Sequence, residues 1–176
     1  MRRPYLLLMA SLLATAALHA AEIKSSRQTA ASKQARAGEA AFRALYEELV
    51  EINTTLSAGS CTDASNAMKA HLTRAGYSDA NLHVIVPPQF PRQGNLVAHL
   101  RGTDPMAKPI LLLAHIDVVE ADRADWERDP FTLVEEEGFF YARGAADHKA
   151  MARVFTDLLV PYKRGRYRPR GGLTMA

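Results

Sequence analysis

The chain of 176 residues has one cysteine, Cys61, and one tryptophan, Trp126. A single thiol excludes an intrachain disulfide framework. Nothing in the surrounding "SAGSCTDAS" offers the cation that activates a thiolate, so Cys61 is expected to be a small residue in a loop. A membrane-length apolar run is also missing. The stretch from Tyr5 to Leu18 falls short of the ~20 apolar residues that a spanning helix needs. It follows Arg2 and Arg3 and precedes the small residues Ala20 and Ala21, the layout of a secretory signal peptide. Residues 1–20 are therefore expected to be a leader cleaved after Ala20. The mature chain would then be exported, to a bacterial periplasm or the exterior, without a stable membrane anchor. The start "RRPYLL" leaves twin-arginine export open. Strong net charge is missing too. The formal charge is +3, and it drops to +1 without the leader, which carries two arginines and no acid.

What is present is an ordinary globular composition, 48% hydrophobic and 23% charged, with room for one core. Residues 21–38, polar and alanine-rich, are expected to form a flexible lead-in. Residues 39–176 carry the folded part. Phe42, Leu45, Leu49 and Ile52 recur at helical spacing, predicting a helix over Glu39–Ile52. A second helix is expected over Asp63–Ala75, started near Thr62 or Asp63 and ended by Gly76. "LHVIV" (82–86), stopped by Pro87 and Pro88, and "NLVAHLRG" (95–102) predict strands. The unbroken "PILLLAH" suggests a strand covered on both faces. "FTLVEEEGFFYARG" predicts two strands around a turn at Glu137 and Gly138. Met151, Val154, Phe155, Leu158 and Leu159 predict a helix closed by Pro161 and Gly165, and "GLTMA" opens a last strand. No internal repeat is visible. This alternation implies an α/β layered domain on a mostly parallel or mixed sheet.

Two clusters carry candidate chemistry. In "LLLAHIDVV", His115 ends an apolar run and Asp117 lies two residues on, on the same side of an extended chain. Ligands of open α/β sheets gather at the carboxyl ends of strands. A metal-bound imidazole usually gives its other ring N–H to an acceptor that orients it. A histidine–x–aspartate pair alone also fits the plain end of a buried strand. In "YARGAADHKAM", Asp147 lies between a strand-like run and a helix. A carboxylate there can join two metal ions, but it can equally cap the helix, and the pattern taken alone favours the cap.

Together, "LLLAHIDVV" and "DWERDPFTLVEEEGFFYARGAADHKAM" resemble the N-terminal catalytic segment of the zinc metallopeptidase family. That family includes aminoacylases, carboxypeptidase G-like enzymes, acetylornithine deacetylase and succinyl-diaminopimelate desuccinylase. The resemblance runs from about Phe42 to the end. It implies a layered helix–sheet–helix, zinc exopeptidase-like fold and a site of two Zn2+ ions. It makes His115 a terminal zinc ligand, Asp117 the catalytic carboxylate that orients it, and Asp147 the bridge between the ions. It also implies a cis peptide at Asp147–His148 and a peptide or N-acyl amino acid as substrate. His148 stands at a variable position of the family motif and is left out of the ligand set. Ala114 and Ala142 replace common glycines, and Glu120 replaces a common proline.

The chain also stops, at "GGLTMA", on the approach to the family's paired glutamates, one of them the general base. The resemblance places a lid or dimerisation domain outside this stretch as well. A fragment that does not hydrolyse substrate is therefore expected. The alternative is a non-catalytic or degenerate domain that keeps the fold. His71, His83 and His99 are expected to be structural or exposed, and Trp126, Pro130 and Phe131 to pack near the site mouth. The basic run "YKRGRYRPRGG" resembles an RNA-binding tail in composition, but Lys163 and Arg164 equally suit a helix C-terminus. No nucleic-acid partner is expected of an exported chain.

Overall fold

The computed structural model describes residues 38–165 and 167–176. The expected leader and nearly all of the lead-in lie outside these residues. Residues 38–51 form the helix α1. Helix α2 covers Cys61–Arg74; Ser60 caps it, its hydroxyl accepting from the Asp63 N–H at 3.1 Å. The helix starts two residues earlier than expected because Ser60, not Thr62 or Asp63, supplies the cap. Cys61 is consequently the first residue of α2 and is buried, rather than a loop residue. Gly76 follows the helix at φ +99, a conformation that its missing Cβ permits.

The sheet consists of β1 (Leu82–Ile85), β2 (Asn95–Leu100), β3 (Ile110–Leu112) and β6 (Leu173–Met175), in the order β1-β2-β6-β3. The pairs β1–β2 and β2–β6 are antiparallel, and β6–β3 is parallel, so the sheet is mixed. Between β3 and β6 lie a hairpin, β4 (Val134–Glu136) with β5 (Phe139–Tyr141), and helix α3 (Lys149–Lys163). The hairpin turns at Glu137 (φ 52) and Gly138 (φ 82), as its sequence implied. Successive positive φ values match the twist of a two-residue hairpin.

Alternation along the strands decides which face is buried. Leu82, Leu96, Ala98, Leu173 and Met175 point into one core with Leu45, Leu49, Met68, Leu72 and Leu159 of the three helices. Each fully buried leucine contributes about 1.5–3 kcal/mol. The opposite side chains, His83, Ile85, His99 and Leu111, stay exposed. No helix among the described residues is long and apolar enough to cross a membrane.

Three expectations need correction. The "PILLLAH" strand is not covered on both faces: Ile110, Leu111 and Leu113 are 59%, 57% and 64% exposed. Among the described residues it pairs only with β6, and the described helices all reach the other face. An unbroken apolar run does not reveal how many of its neighbours are present. Second, Pro161 does not close α3, which runs through it to Lys163. Third, the buried face of α3 is Lys149, Ala152, Arg153, Thr156 and Leu159, while Met151, Val154 and Leu158 lie about two-fifths exposed. Two cations and a threonine take positions that hydropathy assigns to the surface.

Lys149 has 1% of its surface exposed, and its ammonium donates to the carbonyls of Ile52 (2.6 Å) and Val50 (3.4 Å) at the end of α1. Carbonyls of a last helical turn lack partners within the helix, and a cation there complements the dipole. Burial nevertheless pulls the lysine down to about 8. Lys149→Met should lower stability by about 1–3 kcal/mol, because two carbonyls lose their donor. Urea unfolding checks this, and a variant as stable as the parent would show the carbonyls already satisfied.

Tyr77 bridges α3 and the core in the same manner, donating its hydroxyl to the Leu159 carbonyl at 3.0 Å. Burial pushes its phenol up to about 12. A folded-state value above the unfolded one means that its contribution is complete below about pH 10 and is lost as pH rises towards 12. The stability difference between wild type and Tyr77→Phe should therefore shrink across that window. A difference that stays constant in melting experiments from pH 9 to 12 would contradict the assignment.

Candidate metal centre

His115 lies just past β3. The ladder continues beyond the strand: Ala176 N–H donates to Leu112 O at 2.9 Å, and Ala114 N–H to Ala176 O at 3.1 Å. The alternation continues as well, with Ile116 and Val118 buried and His115 and Asp117 on the open side. The loop after α1 pins this segment. The buried Thr54 hydroxyl donates to Ile116 O at 2.6 Å, and Val118 N–H reaches Thr54 O at 3.3 Å. Glu120, standing where the resemblance has proline, accepts from the backbone N–H (3.0 Å) and hydroxyl (2.7 Å) of Ser57.

Asp147 arrives from the other direction, in the turn between β5 and α3. Tyr46 donates its hydroxyl to Ala145 O at 2.6 Å, and Arg143 N–H donates to Pro130 O at 2.7 Å. Gly144 sits at φ +82, where a Cβ would come within 2.7 Å of a Val118 methyl, so this turn lies against the His115 segment. The peptide between Asp147 and His148 is cis, as the resemblance implied.

The two segments meet. His115 Nε2 is 3.2 Å from Asp147 Oδ1. On the far side of the ring, His115 Nδ1 is 3.1 Å from the Asp117 backbone oxygen and 3.2 Å from its carboxylate Oδ1. Nδ1 turned to the Asp117 oxygens makes Nε2, which hydrogen-bonds Asp147, the nitrogen that a cation could take. Burial pulls the His115 pKa down. The Asp117 carbonyl, the Asp147 hydrogen bond and both carboxylate charges outweigh it and hold the ring above its ordinary value. Protons thus compete with any cation for this ring. A cavity of about 360 Å³ opens beside His115 and Asp117, with Thr54, Gln93 and Asn95 in its wall.

His148, set aside in the sequence, enters this cluster. Its Nε2 is 3.3 Å from Asp147 Oδ1, and its ring stacks on that of His115 at 4.6 Å and 24°. Among the described residues, His115, Asp147 and His148 form the one group of three metal-type donors. Their donor atoms all lie within 4.8 Å of one another. The adjacency of His148 to Asp147 in the chain accounts for its closeness. His83 and His99 meet each other at 6.0 Å instead, and His71 lies on α2. In the basic run, Lys163 lies over the Tyr77 ring at 5.2 Å, and Arg170 pairs with Asp104 at 2.7 Å. Arg166 is outside the described residues. Pro130 is buried, and Trp126 receives the Arg143 guanidinium over its ring at 5.0 Å.

Comparison with known proteins gives the same picture. Residues 111–176 match the profile of Peptidase family M20/M25/M40. The chain is 33% identical over 118 residues to acetylornithine deacetylase of Salmonella paratyphi B, covering 67% of this chain and 30% of that protein. It is 50% identical over 50 residues to the mouse N-fatty-acyl-amino acid synthase/hydrolase PM20D1, 28% of this chain and 10% of that one. In structure it is similar to human carnosine dipeptidase 1, with TM-score 0.64 and 22% identity over 81% of this chain and 32% of that one. The di-peptidase Dug1p from Saccharomyces cerevisiae gives TM-score 0.60 and 22% identity over 78% and 31%. The chain thus spans at most about a third of the length of these proteins. With the two clusters in the arrangement described, the chain is similar over residues 111–176 to Peptidase family M20/M25/M40.

Proposed function

We propose that these residues form part of the metal centre of a hydrolase that cleaves a peptide or N-acyl amide bond. The observation that carries this is the meeting of His115 Nε2 and Asp147 Oδ1 at 3.2 Å, with Asp117 behind the ring. The similar proteins named above include an acetylornithine deacetylase, an N-fatty-acyl-amino acid synthase/hydrolase and two dipeptidases, which supports this reading. The leader-like residues 1–20 support export.

In the reaction, water adds to the amide carbonyl carbon, the C–N bond breaks, and the amine leaves with a proton from the water. Zinc, when bound, polarises the water and the carbonyl. His115 and Asp147 would hold the ion, and Asp147, with two oxygens, suits a bridge to a second. Asp117 would keep Nδ1 protonated and Nε2 free. It cannot take the water's proton, because it stands on the opposite side of the imidazole. No other carboxylate among the described residues joins the three donors, so these residues supply no general base.

The chain is accordingly expected to hydrolyse neither a dipeptide nor an N-acetyl amino acid in excess zinc. Turnover above a His115→Ala control would overturn this. Grafted in place of the matching segment of a complete family member, residues 39–176 should support hydrolysis. In that hybrid, Asp117→Asn should lower kcat/KM by about 10–100-fold, the usual cost of losing an orienting partner. Unchanged kinetics would remove Asp117 from the proposed role.

A further inference from the structure

We propose that the surface built from residues 101–108 and 164–171 docks reversibly on a bilayer rich in anionic lipid. The basic run before β6 is bound along the loop between β2 and β3. Thr103 N–H donates to Pro169 O at 3.0 Å, Asp104 N–H donates to Arg170 O at 2.9 Å, and the Arg170 guanidinium pairs with Asp104 at 2.7 Å. A Cβ on Gly102 would come within 2.2 Å of Arg170 O, and one on Gly171 within 2.2 Å of Lys108 O. The two backbones therefore touch where only glycine fits. The surface so built carries five exposed cations, Arg101, Lys108, Arg164, Arg168 and Arg170, and Asp104 is the one acid in the two stretches. Among the described residues, only Arg170 of these five pairs with a carboxylate.

Cations alone would suit any polyanion, and the apolar groups beside them select the lipid. Met106 is 90% exposed, and the Asp104 carboxylate holds its turn by accepting the Met106 N–H at 2.9 Å. Tyr167 is 62% exposed. A bilayer offers acyl chains to the thioether beneath phosphates for the cations, and tyrosine suits the level between them. A nucleic-acid platform stacks bases on successive rings, but Tyr162, 5.6 Å from the Tyr167 ring, is partly buried. The placement leaves the rest of the chain free to work. Both stretches lie at the amino ends of the parallel strands β3 and β6, whereas His115 follows the carboxyl end of β3. The extended chain from Lys108 to His115 spans roughly 20 Å. A chain resting on a bilayer by this end therefore keeps His115 and Asp147 turned towards solvent.

Sedimentation of the chain with lipid vesicles tests this. Vesicles of equal parts phosphatidylglycerol and phosphatidylcholine should bind it far more tightly than phosphatidylcholine alone. That preference should vanish at about 1 M salt, where screening acts within ~3 Å. Each cation near an anionic surface strengthens binding about fivefold, so Arg101→Gln, Lys108→Gln, Arg164→Gln and Arg168→Gln together should weaken it more than about 100-fold. These side chains are exposed and unpaired, so an unchanged melting temperature is expected. Should the combined variant be destabilised, the four single replacements decide, each with a loss of about fivefold. Met106→Ser should cost about tenfold at either salt concentration. Residues 1–20 are common to parent and variants, so their own affinity for lipid leaves these ratios unchanged. Equal binding of the parent and a folded combined variant, or a Met106→Ser variant that binds like the parent, would overturn the proposal. Tighter binding to single-stranded RNA than to the mixed vesicles at equal phosphate concentration would overturn it too, and assign the surface to nucleic acid.

Discussion

The ammonium of Lys149, buried against the end of α1, is the contact on which the site depends. A lone charge in an apolar interior is costly, and the fall of this lysine to about 8 records that cost. Carbonyls that the helix leaves unpaired offset part of it. One turn further along α3, the buried Arg153 donates from Nε to the Phe42 carbonyl at 2.8 Å. Two cations of α3 thus bind carbonyls at the two ends of one stretch of α1, which fixes both the register and the direction of the pair. Asp147 and His148 immediately precede Lys149, so their positions follow from this anchor.

The other half of the site is tied to the same place. Thr54, two residues after Ile52, holds Ile116 through a 2.6 Å hydrogen bond inside the protein. Residues 50–54 therefore hold α3 with their carbonyls and the His115 segment with a hydroxyl. Neither donor segment needs to be rigid by itself. Both are registered against a short connector, and the donors meet because that connector has little freedom. This separates the two jobs of the sequence. Buried groups set distances, while His115 and Asp147 remain exposed to solvent.

Much of this was legible from residue pattern, and the exceptions have physical causes. The helices, the hairpin turn and the alternation of β2 follow from local periodicity, which one sequence displays directly. The meeting of His115 with Asp147 is a contact across 32 residues. Neither cluster implied it alone, and only their combination into a family motif did. Burial of Lys149, Arg153 and Thr156 was invisible because hydropathy assigns cations and hydroxyls to the surface, whereas here each one satisfies backbone carbonyls. The exposure of Leu111 and Leu113 was missed for the converse reason. Apolar character states what a side chain favours, not what lies beside it. His148 was left out of the ligand set because a motif records what many chains share, and this ring belongs to a position where they differ.

The short strand β6 gives the site its remaining constraint. It comprises only Leu173–Met175, yet it lies between β2 and β3 and bonds to both. The bonds of Ala176 to Leu112 and Ala114 carry the ladder to the residue before His115. Its partner strand β3 lies some sixty residues earlier, so the pairing closes a long loop, with an entropy cost that local helices do not meet. Parallel strands need such a crossover, and here the hairpin and α3 provide it. Within that crossover lies Asp147. The loop that brings β6 to β3 is the same one that brings the carboxylate to the imidazole, so neither meeting is secure without the other. An ion that binds both donors then stabilises this closure by its binding free energy. The strand pairing and the meeting of His115 with Asp147 thus close the same loop.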